Sequence, residues 1–288
     1  MITDSSPHSA AVMRQAYDAD LEGVCAFLSA NMHRGLNAEV YRAAFNYPWR
    51  PADTPFGFVL LHDDQIVGFI GCIWADRVIN GSIHRFCNLS NWCVLSQFRR
   101  QSLDLFFAIL RSRNVTFTDL SPIPEIEKLL VGLRFQVVNL RKWFTIPGLH
   151  LLGTLQKTRI IANLEKIPDY LDPQDLKIFR DHQNIGCLHT VLADGHGVGY
   201  VVSRKRKRKN LIFSEILYTS DRAMLRRNFE RVKLSILRRD RTCILAVDEH
   251  IYGDRPRGFL SYHRPEYFRS ATLQPFQIDH LYSETALI

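Results

Sequence analysis

The sequence has no cysteine or histidine spacing of the kind that marks a metal site or a disulfide framework. Its six cysteines never form a C-x-x-C pair, and its eleven histidines show neither H-x-x-x-H nor H-x-E spacing. Most of the cysteines sit inside apolar runs, which is typical of buried free thiols in a reducing compartment. We therefore expect no disulfide and no metal.

Long apolar runs are also absent. The longest, Phe56–Leu61 and Ile66–Trp74, are far shorter than the roughly 18–20 residues that span a bilayer. Residues 1–9 carry Asp4 and have neither the basic region nor the apolar core of a secretory signal. We expect no membrane span and a cytoplasmic location.

Net positive charge is small outside one segment. The formal net charge is +8, and six of these charges come from the basic run, Arg204–Lys209. Because the run separates two predicted strands, we expect it at the tip of a hairpin, as solvated charge or as a contact for an anionic lipid or glycan. No base-stacking aromatic pattern accompanies it, so we expect no nucleic-acid partner.

The length and composition fit two folded domains. The chain has 288 residues, of which 46% are hydrophobic and 23% charged. These fractions are close to the averages for soluble globular proteins, whose domains usually have about 100–200 residues. The sequence leaves the oligomeric state open.

Hydrophobic periodicity predicts ten elements in the first half of the chain. Strands are predicted at Val12–Tyr17, Phe56–Leu61, Ile66–Trp74, Ile83–Leu95, Val115–Leu120 and Gln136–Ile146. Helices are predicted at Leu21–Leu28, Asn37–Phe45, Ser102–Leu110 and Pro124–Leu133. Antiparallel hairpins followed by strand–helix–strand connections predict a mixed α/β sheet, with a ligand site where the two patterns meet.

The second half repeats this order weakly. Three hairpin-like strands lie between Leu188 and Tyr218, followed by a helix at Leu225–Leu237 and a strand at Cys243–Val247. We therefore predict two domains, residues 1–148 and 149–288, the second being a degenerate copy of the first. The tail from Gln274 onward contains enough apolar residues to dock on a domain.

Two segments, Val67–Gly71 and Val94–Ser102, resemble the GNAT superfamily of acyl-CoA-dependent N-acyltransferases. The family usually reads V-x-P-x-x-R-x-x-G-x-G/A at the second segment, where backbone N–H groups at a helix N-terminus bind the pyrophosphate of coenzyme A. Arg99 has the position of the motif arginine, whereas Ser102 and Asp104 replace the two glycines. The resemblance covers residues 12–146 well and the second half poorly.

The resemblance implies a GNAT-like mixed α/β fold in tandem copies, with acetyl-CoA or another acyl-CoA as co-substrate. The implied cofactor-binding residues are Trp92, Cys93, Val94, Phe98, Arg99, Arg100, Gln101 and Ser102. On the preceding strand, Asn88, Ser90 and Asn91 are candidates for substrate binding, or else ordinary polar strand residues. The basic run is a further candidate contact for the 3′-phosphate of coenzyme A.

Acyl transfer to an amine needs a base, donors for an oxyanion and an acid for the departing thiolate. Asp119 is the first candidate base, with Ser121 beside it; the alternative is that these residues cap the next helix. Glu215 is the candidate in the second copy. Its apolar neighbours are expected to raise its pKa, unless it lies on an exposed strand face. Leu130 has the place of the tyrosine that often serves the family as acid.

We therefore predict an acyl-CoA-dependent N-acyltransferase, with acetyl-CoA as the first choice of donor. An amine or hydroxyl of a small-molecule or sugar acceptor would attack the acyl group directly. Aminosugars, polyamines, amino acids, lipid precursors and protein lysines all remain open as acceptors. The alternative is a catalytically inactive GNAT-like binding or scaffold protein, which the residues Ser102, Asp104 and Leu130 favour.

Overall fold

A computed structural model describes most of the chain as two compact units. It covers residues 11–32, 35–138, 141–148, 158–195, 197–208, 210–260 and 265–287. Unit 1 runs to Asp119 and includes Arg269–Ala271 and Leu287; unit 2 comprises Leu120–Phe268 and Thr272–Ala286. Residues 1–9, predicted not to be a signal, lie outside the described part. The boundary predicted at residue 148 separates the two halves that repeat in sequence, whereas the compact units divide after Asp119. The domain boundary stays a prediction.

Unit 1 contains five strands of a seven-stranded sheet and three helices. Its strands are β1 (Val12–Ala16), β2 (Gly57–His62), β3 (Gln65–Ile79), β4 (Ser82–Val94) and β5 (Val115–Asp119). Its helices are α1 (Leu21–Asn31), α2 (Ala38–Phe45) and α3 (Ser102–Leu110). The strands lie in chain order; β1 to β4 pair antiparallel, and β4 pairs with β5 in parallel. The antiparallel-to-parallel change occurs where the sequence predicts it.

An aromatic cluster organises the core of unit 1. The rings of Phe45, Phe56 and Phe69 have centroids 5.2 to 5.9 Å apart, and all three side chains are at most 1% exposed. Asn37 caps α2 by accepting a hydrogen bond from the N–H of Val40, so the helix begins where Phe45 can reach the sheet.

Unit 2 contains a second sheet and the remaining helices. Its strands are β6 (Gln136–Val138), β7 (Lys142–Thr145), β8 (Arg159–Ile161), β9 (Cys187–Asp194), β10 (Gly197–Arg208), β11 (Leu211–Thr219), β12 (Leu245–Asp248), β13 (Phe259–Leu260) and β14 (Glu266–Arg269). The helices are α4 (Pro124–Gly132), α5 (Pro173–His182), α6 (Arg222–Arg227), α7 (Phe229–Asp240), α8 (Glu249–Tyr252) and α9 (Glu284–Leu287). In the described residues no helix has the length and apolarity needed to cross a bilayer.

The seven-stranded sheet that includes the five strands of unit 1 has the order β1-β2-β3-β4-β5-β14-β6, and the sheet of unit 2 has the order β13-β7-β12-β11-β10-β9-β8. Only β11 and β12 pair in parallel in this sheet, while β14 pairs antiparallel with β6. The single strand predicted over Gln136–Ile146 is two strands, β6 and β7, with different partners. β7 lies between β12 and β13, so residues predicted to close the first copy form part of the second sheet.

The basic run belongs to a strand, which corrects the expectation that it forms a hairpin tip. β10 continues through Arg208 and pairs with β11 over this stretch. Arg204 and Arg206 are partly buried and donate hydrogen bonds to backbone carbonyls, whereas Lys205 and Lys207 are exposed. Successive strand side chains point to opposite faces, which separates the two arginines from the two lysines. Lys209 lies outside the described residues.

The C-terminal tail is packed into unit 2. Ile278 and Leu281 are at most 1% exposed, and the Oη of Tyr282 donates a hydrogen bond to Asp181. Both ring nitrogens of the buried His182 contact backbone carbonyls, one of them that of Leu281. The tail therefore docks, as its apolar residues predict.

Replacing Phe69 by alanine is expected to lower the free energy of unfolding by about 3–5 kcal/mol, because it removes the ring shared by two aromatic contacts. The matched control is Ile83→Ala, whose side chain is 76% exposed, with an expected change within about 0.5 kcal/mol. Urea denaturation followed by tryptophan fluorescence measures both. Equal losses for the two variants would contradict the assignment of the core.

Candidate functional site

The carboxyl end of β4 departs from regular pairing. Opposite β3, Cys93 faces Phe69 and Ser90 faces Gly71, so β4 carries one extra residue. Asn91 lies in this bulge with a φ of 50°. Asparagine tolerates this left-handed conformation better than most residues, and bulges of this kind turn backbone groups away from the ladder.

β4 also extends beyond its pairing with β5. The parallel register runs only from Arg85 opposite Val115 to Asn88 opposite Thr118, whereas β4 continues to Val94. The end of β4 therefore keeps backbone groups that this pairing does not use. Such a place in a mixed sheet is where a ligand binds most readily.

The three predicted substrate residues lie at or next to the bulge. Asn88 is fully buried and donates hydrogen bonds to the hydroxyl of Thr118 at 3.0 Å and its carbonyl at 3.3 Å. The amide of Asn91 donates to the hydroxyl of Ser90 at 3.4 Å, and the Oδ1 of Asn91 is buried without a hydrogen-bond partner in the described structure. Asn88 thus holds β4 to β5, whereas Asn91 has unused hydrogen-bonding capacity. Their roles toward a substrate stay predictions.

The predicted cofactor-binding residues lie at the end of β4 and in the turn that follows it. A 3₁₀ helix at Ser96–Gln101 leads directly into α3, whose first residue is Ser102. Trp92 stacks on Phe106 of α3, with ring centroids 5.1 Å apart and an interplanar angle of 16°. The packing fixes α3 against the end of β4. The structure therefore brings strand end, turn and helix start together, as the motif predicts.

The helix start is electropositive and accessible. Arg99 and Arg100 are exposed, and the amino-terminal N–H groups of a helix attract anions. Asp104, which replaces a family glycine, is exposed in the first turn of α3 and lines a hollow of about 380 Å³ together with Gln101 and Arg111.

The equivalent strand end in unit 2 has the opposite charge. After β11, a hollow of about 650 Å³ is lined by Asp172, Asp175 and Asp221, with Arg222 as the one basic residue among those lining it. Asp172 and Asp221 are the N-caps of α5 and α6. Carboxylates at this position disfavour a phosphate group. Unit 1 is therefore the better candidate for binding a phosphorylated cofactor.

Comparison with solved structures defines the architecture. A GCN5-related N-acetyltransferase from Kribbella flavida aligns over 92% of this chain and 72% of its own, with 12% identity and a TM-score of 0.59. A conserved protein from Enterococcus faecalis, described as a probable N-acyltransferase, aligns over 93% and 74%, with 10% identity and a TM-score of 0.59. This chain has a GNAT fold. The predicted mixed α/β fold is confirmed, and two sheets fit the tandem arrangement.

The GNAT likeness extends to a larger enzyme. Saccharomyces cerevisiae N-myristoyltransferase with bound myristoyl-CoA aligns over 98% of this chain and 85% of its own, with 12% identity and a TM-score of 0.50. At this identity the likeness shows the fold alone. No protein-family model and no curated protein matches the sequence.

The catalytic candidates Asp119 and Ser121 follow Thr118, the last residue of β5 that pairs with β4. Asp119 ends β5, directly after Thr118. Neither Asp119 nor Ser121 is the N-cap of α4, because that helix begins at Pro124 with Ile123 as its N-cap. Ser121 donates a hydrogen bond to Glu284 at 2.8 Å.

The position of the usual acid in GNAT enzymes offers no hydroxyl. Leu130, which has that place in the sequence, is fully buried in α4. A leucine side chain neither donates nor accepts a proton. Any acid for the departing thiolate must come from elsewhere.

Glu215 lies in a buried group of charged side chains, all of them in unit 2. Lys142 comes from β7, Asp248 from the end of β12 and His280 from the C-terminal tail. Glu215 is only 2% exposed, so the alternative of an exposed strand face is wrong. Asp248 and His280 are 0% and 1% exposed.

The strand register explains why three of these side chains meet. Glu215 is opposite Ala246, two residues before Asp248, and Asp248 is opposite Lys142. Residues two apart on a strand share a face, and directly opposite residues are on the same face. Glu215, Asp248 and Lys142 therefore project from the same side of the sheet.

The contacts within the group form a connected network. The Nζ of Lys142 donates to the carboxylate of Glu215 and lies 3.8 Å from the Oδ1 of Asp248. The Nε2 of His280 lies 2.9 Å from the Oε2 of Glu266. The Nδ1 of His280 lies 3.6 Å from the Oδ2 of Asp248 and 3.8 Å from the Oε1 of Glu215.

The network lowers the pKa of Glu215, which corrects the expected rise. Burial alone raises this pKa, but the positive charges of Lys142, Arg206 and His280 outweigh burial and hold it at about 2. A carboxylate with so low a pKa is a weak base at neutral pH. Glu215 is thus a poorer acid–base candidate than its sequence context predicts.

The pKa values of two other residues in the network, Asp248 and His280, are raised. Burial raises the pKa of Asp248 to about 6, although Lys142 and His280 oppose the rise. Burial lowers the pKa of His280, but Glu266 and Asp248 outweigh it and raise the value to about 9. The charge states of groups on five separate segments, β7, β11, β12, β14 and the C-terminal tail, thus depend on one another.

Sequence reasoning found only Glu215 in this group. Lys142, Asp248, Glu266 and His280 have no common spacing, because the sheet rather than the local chain brings them together. The one available signal was an acidic residue ending an apolar strand, as in Leu245-Ala246-Val247-Asp248. That signal is also common at helix caps.

Replacing Lys142 by methionine is expected to lower the free energy of unfolding by about 3–5 kcal/mol at pH 7, because buried carboxylates lose their partner. The folded pKa of Glu215 lies below its ordinary value of 4.5, so the stabilisation is present above pH 4.5 and lost as the pH falls toward 2. The difference between the two proteins should therefore shrink over that range. Urea denaturation across a pH series measures it.

The matched control is Lys177→Met, which removes an exposed helical ion pair with Asp181. The expected loss is below about 0.5 kcal/mol. A difference between wild type and Lys142→Met that stays constant from pH 7 to pH 3 would contradict the proposed coupling.

Proposed function

We propose that the protein is an acyl-CoA-dependent N-acyltransferase whose cofactor binds in unit 1. The observation that carries the proposal is the bulged end of β4 followed by the 3₁₀ helix Ser96–Gln101, which leads into α3. Exposed Arg99 and Arg100 lie in this 3₁₀ helix and supply positive charge just before α3, which suits a pyrophosphate. A cytoplasmic location is part of the same proposal.

The cofactor contacts follow from this arrangement. We assign the backbone of Trp92, Cys93 and Val94 to the pantetheine arm, because their strand edge extends beyond the pairing with β5. We assign the turn Phe98–Ser102 to the phosphates. Support comes from the acidic hollow in unit 2, which has the wrong charge for this role. Acetyl-CoA is the first candidate donor.

The proposed reaction is direct attack by an amine or hydroxyl of a small-molecule or sugar acceptor. The nucleophile forms a bond to the acyl carbon, and a tetrahedral oxyanion develops beside backbone N–H groups. The carbon–sulfur bond then breaks, and coenzyme A leaves as a thiolate that takes up a proton. The acceptor loses a proton to a base, so charge and atoms balance.

We propose Asp119 as that base, acting through water. It follows the last β5 residue that pairs with β4, at the strand end beside the proposed cofactor site. Ser121 and Glu215 stay in the proposal as rivals. Their hydrogen bonds to Glu284 and Lys142 favour structural roles.

The second candidate function is a GNAT-like binding or scaffold protein without catalysis. Ser102 and Asp104 in place of glycines, and the buried Leu130 in place of the acid, favour it. The two candidates differ in whether an acyl-CoA binds and is cleaved.

Acetyl-CoA at a hundred times its dissociation constant is expected to add about 2.7 kcal/mol to the stability of the folded protein. Thermal unfolding with acetyl-CoA, and with longer acyl-CoAs, measures the effect. Arg99→Ala should reduce the shift, because it removes a cation next to the phosphate turn. Arg113→Ala, an equally exposed arginine at the other end of α3, should leave it unchanged. No shift with any acyl-CoA at millimolar concentration would sink the enzyme proposal.

Asp119→Asn is expected to slow acyl transfer about 10²–10⁴-fold while leaving the acetyl-CoA thermal shift intact. The assay follows thiol release from acetyl-CoA with glucosamine, spermidine and lysine as acceptors. Glu125→Gln, an exposed carboxylate in the first turn of α4, is the control and should retain full activity. If Asp119→Asn kept full activity and Glu215→Gln lost it, the base would be Glu215 in unit 2 rather than Asp119.

A further inference from the structure

Three metal-ligand atoms converge inside unit 2, well away from any local sequence motif. They belong to Glu215, Asp248 and His280, and all three lie within 4.8 Å of one another. None of the three residues is more than 2% exposed. Together they supply two carboxylates and one imidazole, which are ordinary ligands for zinc.

A hydrogen bond to Glu266 fixes the orientation of the His280 ring. Glu266 accepts only, so its contact at 2.9 Å assigns a hydrogen to the Nε2 of His280. The opposite ring nitrogen, Nδ1, is buried without a hydrogen-bond partner in the described structure and faces Glu215 and Asp248. A carboxylate behind an imidazole is the arrangement that orients histidine ligands of zinc.

The carboxylate of Asp248 is the second feature, after the orientation of His280, that indicates a metal site. It is 0% exposed, and neither of its carboxylate oxygens has a hydrogen-bond partner among the described residues. Burying a carboxylate costs several kcal/mol unless hydrogen bonds or a cation compensate. The ammonium of Lys142 lies 3.8 Å from Oδ1, beyond hydrogen-bonding distance. The other oxygen, Oδ2, faces the Nδ1 of His280.

The distances from His280 to the two carboxylates fit ligands of a shared ion better than direct hydrogen bonds. The Nδ1 of His280 is 3.6 Å from Asp248 and 3.8 Å from Glu215, too far for hydrogen bonds. Two ligands of a tetrahedral zinc ion at about 2.1 Å are roughly 3.4 Å apart. A small inward movement of the side chains would therefore complete a coordination sphere.

We propose that Glu215, Asp248 and His280 bind a divalent ion of the zinc type, with Glu266 as the positioning residue for His280. The mixture of imidazole and carboxylate favours zinc over magnesium or calcium, which prefer oxygen ligands alone. The ion links the C-terminal tail, through His280, to β11 and β12. Lys142 remains beside Asp248 Oδ1 and competes with the ion for Glu215.

This site is independent of the proposed acyl transfer in unit 1. It also explains why spacing predicts no metal: the ligands lie more than 30 residues apart along the chain, on two strands and the tail. Ligands so far apart in sequence form no short motif.

The test begins with the metal content of the wild-type protein after dialysis against Zn²⁺ and then against metal-free buffer. We expect about one zinc per chain, and about none after Mg²⁺ or Ca²⁺. Asp248→Asn and His280→Gln should lose the zinc. Glu249→Gln, the neighbouring carboxylate that accepts from the indole of Trp143, should retain it. Glu266→Gln should weaken binding about 10–100-fold.

A second measurement guards against variants that fail to fold. Zinc should raise the unfolding temperature of wild type, and it should restore much of the stability lost in Lys142→Met, because that variant keeps all three ligands and loses the competing ammonium. Wild type that retains no zinc, or Asp248→Asn that retains as much as wild type, would overturn the proposal. Failure here would leave acetyl-CoA binding in unit 1 unaffected.

Discussion

One arrangement recurs in both sheets among the residues that the structure describes: antiparallel strands are followed by a parallel pair that is shorter than its longer strand. In unit 1 the pairing of β4 with β5 ends at Asn88, and β4 continues past it. In unit 2 the pairing of β11 with β12 ends at Ile216, while β11 continues to Thr219. Each strand end that extends past its parallel partner has backbone groups that this pairing does not use, which is where a ligand binds most readily in a mixed sheet.

The two copies use this geometry differently because their charges differ. In unit 1 the strand end leads to exposed Arg99 and Arg100, which suit an anionic cofactor. In unit 2 it leads to Asp221, beside Asp172 and Asp175, which do not. Unit 2 instead has a buried network of Lys142, Glu215, Asp248, Glu266 and His280. The exposed arginine pair thus lies in unit 1, and the buried charged network lies in unit 2.

Local elements were predictable because local forces specify them. The helix predicted at Ser102–Leu110 has those bounds in the structure, since its apolar spacing and the turn before it act over a few residues. The early strands and the change from antiparallel to parallel pairing follow from the same kind of pattern. The candidate cofactor residues lie within one short segment, residues 92–102, so a sequence motif is enough to propose them.

The features that sequence reasoning missed depend on distant partners. Periodicity shows that Lys142–Thr145 is a strand but does not reveal that β12 is its partner. The sequence predicts a hairpin tip for the basic run because it separates two predicted strands, but β10 continues through Arg208, and Arg204 and Arg206 donate hydrogen bonds to backbone carbonyls. The pKa of Glu215 falls rather than rises because Lys142 arrives from a segment about seventy residues earlier in the chain.

The central claim is that an acyl-CoA binds at the β4–α3 junction of unit 1. Amide hydrogen exchange with and without acetyl-CoA tests it directly, because bound ligand slows exchange where backbone N–H groups contact it. The account predicts new protection over residues 92–102 and none over 219–222. Protection over 219–222 alone, or none anywhere at saturating acetyl-CoA, would contradict it.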